Sequence, residues 1–309
     1  MRHSRLNTAL LAIISCLLWS TAFAGVKIGL EYASPLQFAG TRFFIAGVLV
    51  FPLAYKVNPR YFRIVRDNLK LILLFAFLQT FLQYTMFYTG INMIPAAVAA
   101  IVIGSQPLFI AMVANFFMPG DRMTLSKTLV ILLGIAGVAL VSFGKDPQSA
   151  TGHIAVAGIL LMLGINVLSG FSNVLVAREK GMIPPLVISS SSMMLGGAAL
   201  FIFSIPFEGI HFESKPPVYF ISLIWLSLLS AIAISIWITL LKRPGIKVSD
   251  LNLWKFLIPL FGALFSWTML PAEQPQPLTT AGMFIITMAL VISGLLKRKK
   301  HNFIRSLLP

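Results

Sequence analysis

Long apolar runs separated by short polar connections fill this chain almost from end to end. They predict ten helices, at about 7–29, 36–55, 69–92, 95–117, 125–143, 153–177, 184–205, 217–241, 248–271 and 279–296. A bilayer core about 30 Å thick is crossed by about 20 apolar helical residues, so each run is long enough to span it. The pattern is densest between Tyr84 and Gly144, where one run ends, a second occupies 95–117 and a third 125–143. The second opens on Pro95, suited to a first turn whose N–H groups lack intrahelical partners. It then sets Ala96, Ala100 and Gly104 four residues apart, a ladder that lets another helix come close. Pro107 follows in mid-span and removes the helical donor for the carbonyl of Ile103.

The same interruptions recur in the second half. Pro107 pairs with Pro259 and Asp121 with Glu273 at a separation of 152 residues. Pro35 pairs with Pro185 at 150, and Ser15, Trp19 and Ala22 pair with Asn166, Gly170 and Asn173 at 151. A nearly constant offset over five spans describes a repeat, with units at 1–145 and 153–296 and a basic tail at 297–309. Five is odd, so the second unit must lie upside down relative to the first. Inverted repeats recur in secondary transporters, whose substrate site sits near the midplane where interrupted helices meet. Here those are the fourth and ninth, at Pro107 and Pro259. The expected fold is an all-α integral membrane protein of ten transmembrane helices in two inverted five-helix repeats.

Taken in order, IPAAVAAIV, Pro107, Asp121 in its loop and GIAGVALV resemble the EamA type of the drug/metabolite transporter superfamily. WSTAFAGVKIGL and SPLQFAGTRFFIAGVLV, with Trp19, Lys27, Pro35 and Arg42, resemble the first two helices of that family. The resemblance implies a ten-helix carrier of a bacterial inner membrane, moving small metabolites such as amino acids or related organic compounds outward. Trp19 joins the candidate cavity residues with it.

Composition fits a membrane interior: 58% of residues are apolar and 11% charged, against about 45–50% and 25% in soluble domains. The net charge of +15 is a matter of topology rather than of nucleic acid. Of the 24 Lys and Arg residues, 19 fall in one set of alternate connections and termini, and 3 (Lys27, Lys145, Lys215) in the other. Basic residues concentrate on the cytoplasmic side, so both termini are expected there, where they also face anionic lipid headgroups. Arg2, Arg5 and the sequence Ala22-Phe23-Ala24 resemble a cleaved signal. Apolar character continues to Leu30, however, and removal would break the charge alternation, so an uncleaved first span is expected. Cys16 is the single cysteine, which excludes an internal disulfide and a cysteine metal cluster.

Candidate chemistry lies in the few polar residues inside spans. Thr80, Tyr84 and Tyr88 share a helical face, with Gln79 and Gln83 beside them; they serve either helix–helix hydrogen bonding or a polar cavity. Asn166, Ser169, Gly170 and Asn173 form one stripe at i, i+3, i+4, i+7. An amide facing lipid stays unsatisfied, so this stripe meets protein or water, as a cavity wall or an interhelical network. Ser189 to Ser192 need no partner, since serine bonds back to its own helix. Trp237 falls near the register of Tyr84, or belongs to a membrane-interface belt. Arg42 and Lys255 lie about six and seven residues inside their spans. Intramembrane cations either snorkel to the surface or mark a functional site, and a site would bind a carboxylate or phosphate.

No aspartate, glutamate or histidine lies well inside a predicted span, and there is no phosphate-binding loop, so neither an enzyme nor an ATP-driven pump is expected. The expectation is a secondary transporter, an exporter in direction, without cofactor or metal, acting as monomer or homodimer by alternating access. A carrier of organic or phosphorylated anions is the alternative, and a non-transporting scaffold or lipid-binding protein the reading from another class.

Overall fold

The computed structural model describes residues 2–121, 151–179, 181, 183–209 and 214–270, with scattered positions between 124 and 140 and between 275 and 292. Among these, every regular element is helical. In chain order they are α1 (Arg2–Leu30), α2 (Pro35–Val57), α3 (Tyr61–Asp67), α4 (Leu69–Phe75), a π segment (Ala76–Leu82) and α5 (Gln83–Met93). Then come α6 (Ala96–Gly104), α7 (Gln106–Phe117), α8 (Thr151–Arg178), α9 (Pro185–Glu208) and α10 (Pro217–Leu241). The last are α11 (Val248–Asn252), a 3₁₀ turn (Leu253–Phe256) and α12 (Leu257–Met269). They compose eight helices apolar and long enough to cross a membrane, with α4 to α5, α6–α7 and α11–α12 each making one. This is a multi-pass membrane protein. The predicted spans at 125–143 and 279–296 fall largely outside the described residues, though Thr280–Ala289 forms a shorter apolar helix. Lys145, Glu273 and the tail at 297–309 fall outside them altogether.

In lipid, helices associate through close contact of small residues rather than by expelling water. α2 and α9 obey this rule, for a Cβ built on Gly40 would sit 2.6 Å from the backbone nitrogen of Phe201. The ladder of α6 does the same at the centre, where all nine residues from Ala96 to Gly104 are buried. A Cβ on Gly104 would overlap the ring of Pro259, and one on Gly262 would lie 2.7 Å from the Cβ of Ala100. The two proline-bearing spans therefore touch at their interruptions. Pro107 acts more strongly than a kink. α6 stops, Ser105 N–H turns back to Val102 O at 3.1 Å, and α7 starts afresh at Gln106. In the other span the interruption is the 3₁₀ turn just before Pro259.

Carboxylates hold the helix ends. Glu208 accepts from Leu36 and Gln37 N–H at 2.8 and 2.9 Å, capping α2, where a negative charge meets the positive end of the helix dipole. Asp121, from the loop after α7, accepts from Ser249 N–H at 3.1 Å and from its hydroxyl at 2.5 Å, capping α11. Glu179 accepts from Ile183 N–H at 3.0 Å and forms an ion pair with Lys242, whose Nζ also donates to Ile183 O at 2.6 Å. This last cluster ties the ends of α8 and α10 together.

Candidate functional site: a polar cavity between broken helices

A cavity of about 90 Å³ lies where α1, α5, α8 and α10 surround the two interruptions. Of the eight candidate residues, Trp19, Arg42, Gln83, Tyr84, Asn173, Trp237 and Lys255 line it, and Asn166 does not. Among its other walls are Phe23, Phe87, Ile103, Ile165, Ile234, Ile238 and Ile258, so a largely apolar chamber carries a few convergent polar groups.

Lys255 reaches the cavity from the 3₁₀ turn. Its Nζ donates to Gln106 Oε1 at 2.6 Å, bridging the two interrupted spans. The ammonium also lies 5.2 and 4.9 Å from the ring centroids of Trp19 and Trp237, within cation–π range. Those two indoles meet edge to face at 5.1 Å, and Trp237 Nε1–H donates to Asn173 Oδ1 at 3.0 Å. Asn252 Nδ2 donates to the same oxygen at 3.2 Å. Asn173 in turn donates to Ser169 O at 2.7 Å. Trp237 is 4% exposed and belongs to this network, not to a membrane-interface belt.

Arg42 enters from α2 and is 2% exposed. Its guanidinium carbon lies 4.4, 5.5 and 5.4 Å from the ring centroids of Phe43, Tyr84 and Tyr88. Its Nε and Nη1 have no hydrogen-bond acceptor. Neither cation snorkels. Ion pairs join Arg63 and Arg66 to Asp67, and Lys242 to Glu179, and neither Arg42 nor Lys255 takes part in them.

The expected polar face of the third span is divided. A π turn carries one extra residue and rotates the rest of the helix about its axis. With the π segment in place, Gln79, Gln83 and Tyr84 face the cavity. Thr80 packs where a Cβ on Gly196 of α9 would meet it, and Tyr88 is wholly buried away from the lining. The stripe on α8 divides too. Asn173 and Ser169 line the cavity, whereas Asn166 donates to Val102 O at 2.9 Å and to Ser105 Oγ at 3.0 Å. Ser105 N–H and its hydroxyl also donate to Val102 O, at 3.1 and 2.7 Å, so Asn166 ties α8 to a break that already closes on itself. Ser189 to Ser192 bond back within α9, and Ser190 also donates to Tyr61 OH at 3.0 Å.

Sequence reasoning passed over Gln106, Ser172 and Asn252. Gln106 reads as a bystander beside Pro107, yet a polar residue at a helix break is placed to turn inward. Asn252 stands three residues before Lys255, on the same face of one turn.

A second, wider recess of about 640 Å³ lies at the end of the bundle that carries Glu31 and Lys215. Phe38 lines this recess and packs against Tyr88 with centroids 6.1 Å apart, and Tyr88 packs against the cavity residue Phe87 at 5.7 Å. A layer of aromatic rings thus separates recess from cavity.

Residues 6–143 match the model of the EamA-like transporter family. The chain is 26% identical to the uncharacterized transporter YvbV of Bacillus subtilis (strain 168), over 95% of this chain and 94% of that one. It is 27% identical to a probable amino-acid metabolite efflux pump of Escherichia coli (strain K12), over 94% and 96%. It is 23% identical to an S-adenosylmethionine/S-adenosylhomocysteine transporter of Chlamydia trachomatis serovar L2, over 89% and 86%. A solved crystal structure shares the fold with a TM-score of 0.69 at 19% identity, covering 95% of this chain and 98% of its own. The family match over residues 6–143 and the alignments to transporters along nearly the whole length support an EamA-type transporter of the drug/metabolite transporter superfamily.

Proposed function

We propose that this protein exports small organic metabolites across a bacterial inner membrane, by alternating access to the central cavity, with both termini in the cytoplasm. Trp19, Arg42, Gln83, Tyr84, Asn173, Trp237 and Lys255 contact the substrate, and Asn166 holds the break at Pro107. The observation that carries this reading is the junction of the two interrupted spans, bridged by Lys255 and Gln106 at the cavity wall. Interrupted helices facing each other at mid-depth are where secondary transporters bind substrate.

The two-repeat, ten-helix architecture, with units at 1–145 and 153–296, has support in the packing. Take α1 and α8 as mates, α5 and α10, and α6–α7 with α11–α12. Exchanging mates carries the contact of α1 with α10 into that of α8 with α5, and the contact of α1 with α12 into that of α8 with α7; all four are present. The concentration of basic residues in one set of connections supports the Glu179–Lys242 end as cytoplasmic and the wide recess as outer. On that orientation the inner end carries the Glu179–Lys242 ion pair and the Asp121 cap, and the outer end the Glu208 cap of α2 and the layer of rings. The named activities of the relatives, amino-acid metabolite efflux and S-adenosylmethionine transport, agree with a small organic substrate.

The test compares metabolites inside cells and in the medium between a deletion strain and strains overexpressing the wild type or Ser172→Trp, which fills the cavity. A compound that accumulates outside only with the wild type supports the reading. Equal profiles in all three strains contradict it.

A further inference from the structure

The ionisable groups that face the central cavity and bear charge are of one sign. Arg42 and Lys255 line it, and no aspartate or glutamate is among the lining residues described. Arg42 is buried with two donor nitrogens, Nε and Nη1, left without an acceptor. A guanidinium offers a planar fork of donors matched to a carboxylate, and burying such donors unpartnered is costly. Lys255 has Gln106 Oε1 as its acceptor and leaves the rest of its ammonium to ring faces. Both groups are incomplete in a way that an anion completes.

An ammonium group finds the opposite. It enters a chamber already holding two positive charges, where low dielectric leaves repulsion weakly screened. The indole faces that would otherwise receive it, Trp19 and Trp237, already face Lys255. Gln83 Oε1 is an unpartnered acceptor on the wall, but a neutral amide leaves the charge uncancelled. The rest of the wall is mostly isoleucine and phenylalanine, suited to an apolar body.

Resting on the transport reading above, we infer that the substrates are organic carboxylates with an apolar body and no ammonium group, selected over zwitterionic amino acids and amines by Arg42 and Lys255. The site therefore differs in the charge type it accepts from a general amino-acid site.

Three probes with one ring and one carbon chain isolate the charge: 3-phenylpropionate, L-phenylalanine and 2-phenylethylamine. Their binding to the purified full-length protein in detergent is measured by calorimetry at millimolar ligand. The acid should bind about tenfold or more tightly than the amino acid, and the amine should not bind. Lys255→Met and Arg42→Gln should each weaken the acid by about 10- to 150-fold, the loss of one charge-assisted hydrogen bond. Arg42→Lys should lose less, keeping charge without the fork. Melting curves of ligand-free protein establish that each variant is folded, and Lys255→Gln replaces the methionine variant if that one is not.

Equal affinity for acid and amino acid, preference for the amine, or no binding by any probe overturns the inference. Ser172→Trp separates it from the reading beneath. If it leaves binding of the acid intact, the cavity is not the site and the transport reading falls as well. If it abolishes binding while Arg42→Gln and Lys255→Met change nothing, the cavity stands and the charge selection falls.

Discussion

Lys242 and Lys255 are two withdrawn lysines thirteen residues apart, and the protein treats them in opposite ways. At the end of the bundle, Lys242 has a carboxylate, Glu179, and a carbonyl, Ile183 O, within reach. In the middle, Lys255 has one neutral amide and two ring faces. A buried ion completed by its own protein fastens the elements it joins. A buried ion left incomplete adds little to stability, and its charge remains available to a visitor. The asparagines of α8 divide along the same line. Asn166 is spent on the break at Ser105, while Asn173 stands at the cavity wall among Trp237, Asn252 and Ser169.

The largest effect should come from breaking the fastened pair. Removing one partner of a buried ion pair strands the other charge, at about 3 kcal/mol or more. Lys242→Met should therefore lower the melting temperature in detergent markedly, and adding Glu179→Gln should recover part of the loss. A melting curve unchanged by Lys242→Met would erase the contrast between the lysines.

The asparagines come next. Asn166→Leu removes the hydrogen bonds that tie α8 to Val102 O and Ser105 Oγ, at about 1 kcal/mol each, so stability falls while flux per folded molecule is kept. Asn173→Leu removes an acceptor shared by Trp237 and Asn252 at the wall, so flux should fall by more than stability accounts for. Equal loss of flux in both variants, at equal protein level, would blur the division.

The smallest stability effect belongs to Lys255. Lys255→Met keeps the stem and deletes an unpaired buried charge, so the melting temperature of ligand-free protein should hold or rise. A clear fall would mean that the link to Gln106 is structural.

Much of this was legible in the pattern of apolar and polar residues. Span ends such as Leu69 and Leu241 fall where run length and flanks place them, because a bilayer demands a minimum apolar length. The small-residue ladder of α6 meets a second helix, though only the fold brings Pro259 against Gly104. Facing was harder to read. An ideal 100° step puts Thr80, Tyr84 and Tyr88 together, and the π segment, which no residue pattern announces, parts them. A stripe of polar residues on α8 likewise says that each must meet protein or water, not which. Asn166 and Asn173 differ in the neighbour they find, and those neighbours, Ser105 and Trp237, are 61 and 64 residues away in sequence.

Alternating access to the central cavity is the central claim, and cysteine labelling tests it most directly. With the single cysteine removed by Cys16→Ala, Ser172→Cys places one thiol on the cavity wall. A membrane-impermeant thiol reagent is applied to right-side-out and to inside-out vesicles, and labelling is monitored over time. The account predicts labelling from both faces, each slowed when Ser169→Trp fills the cavity beside the thiol. Labelling from one face only, however long the exposure, would contradict it.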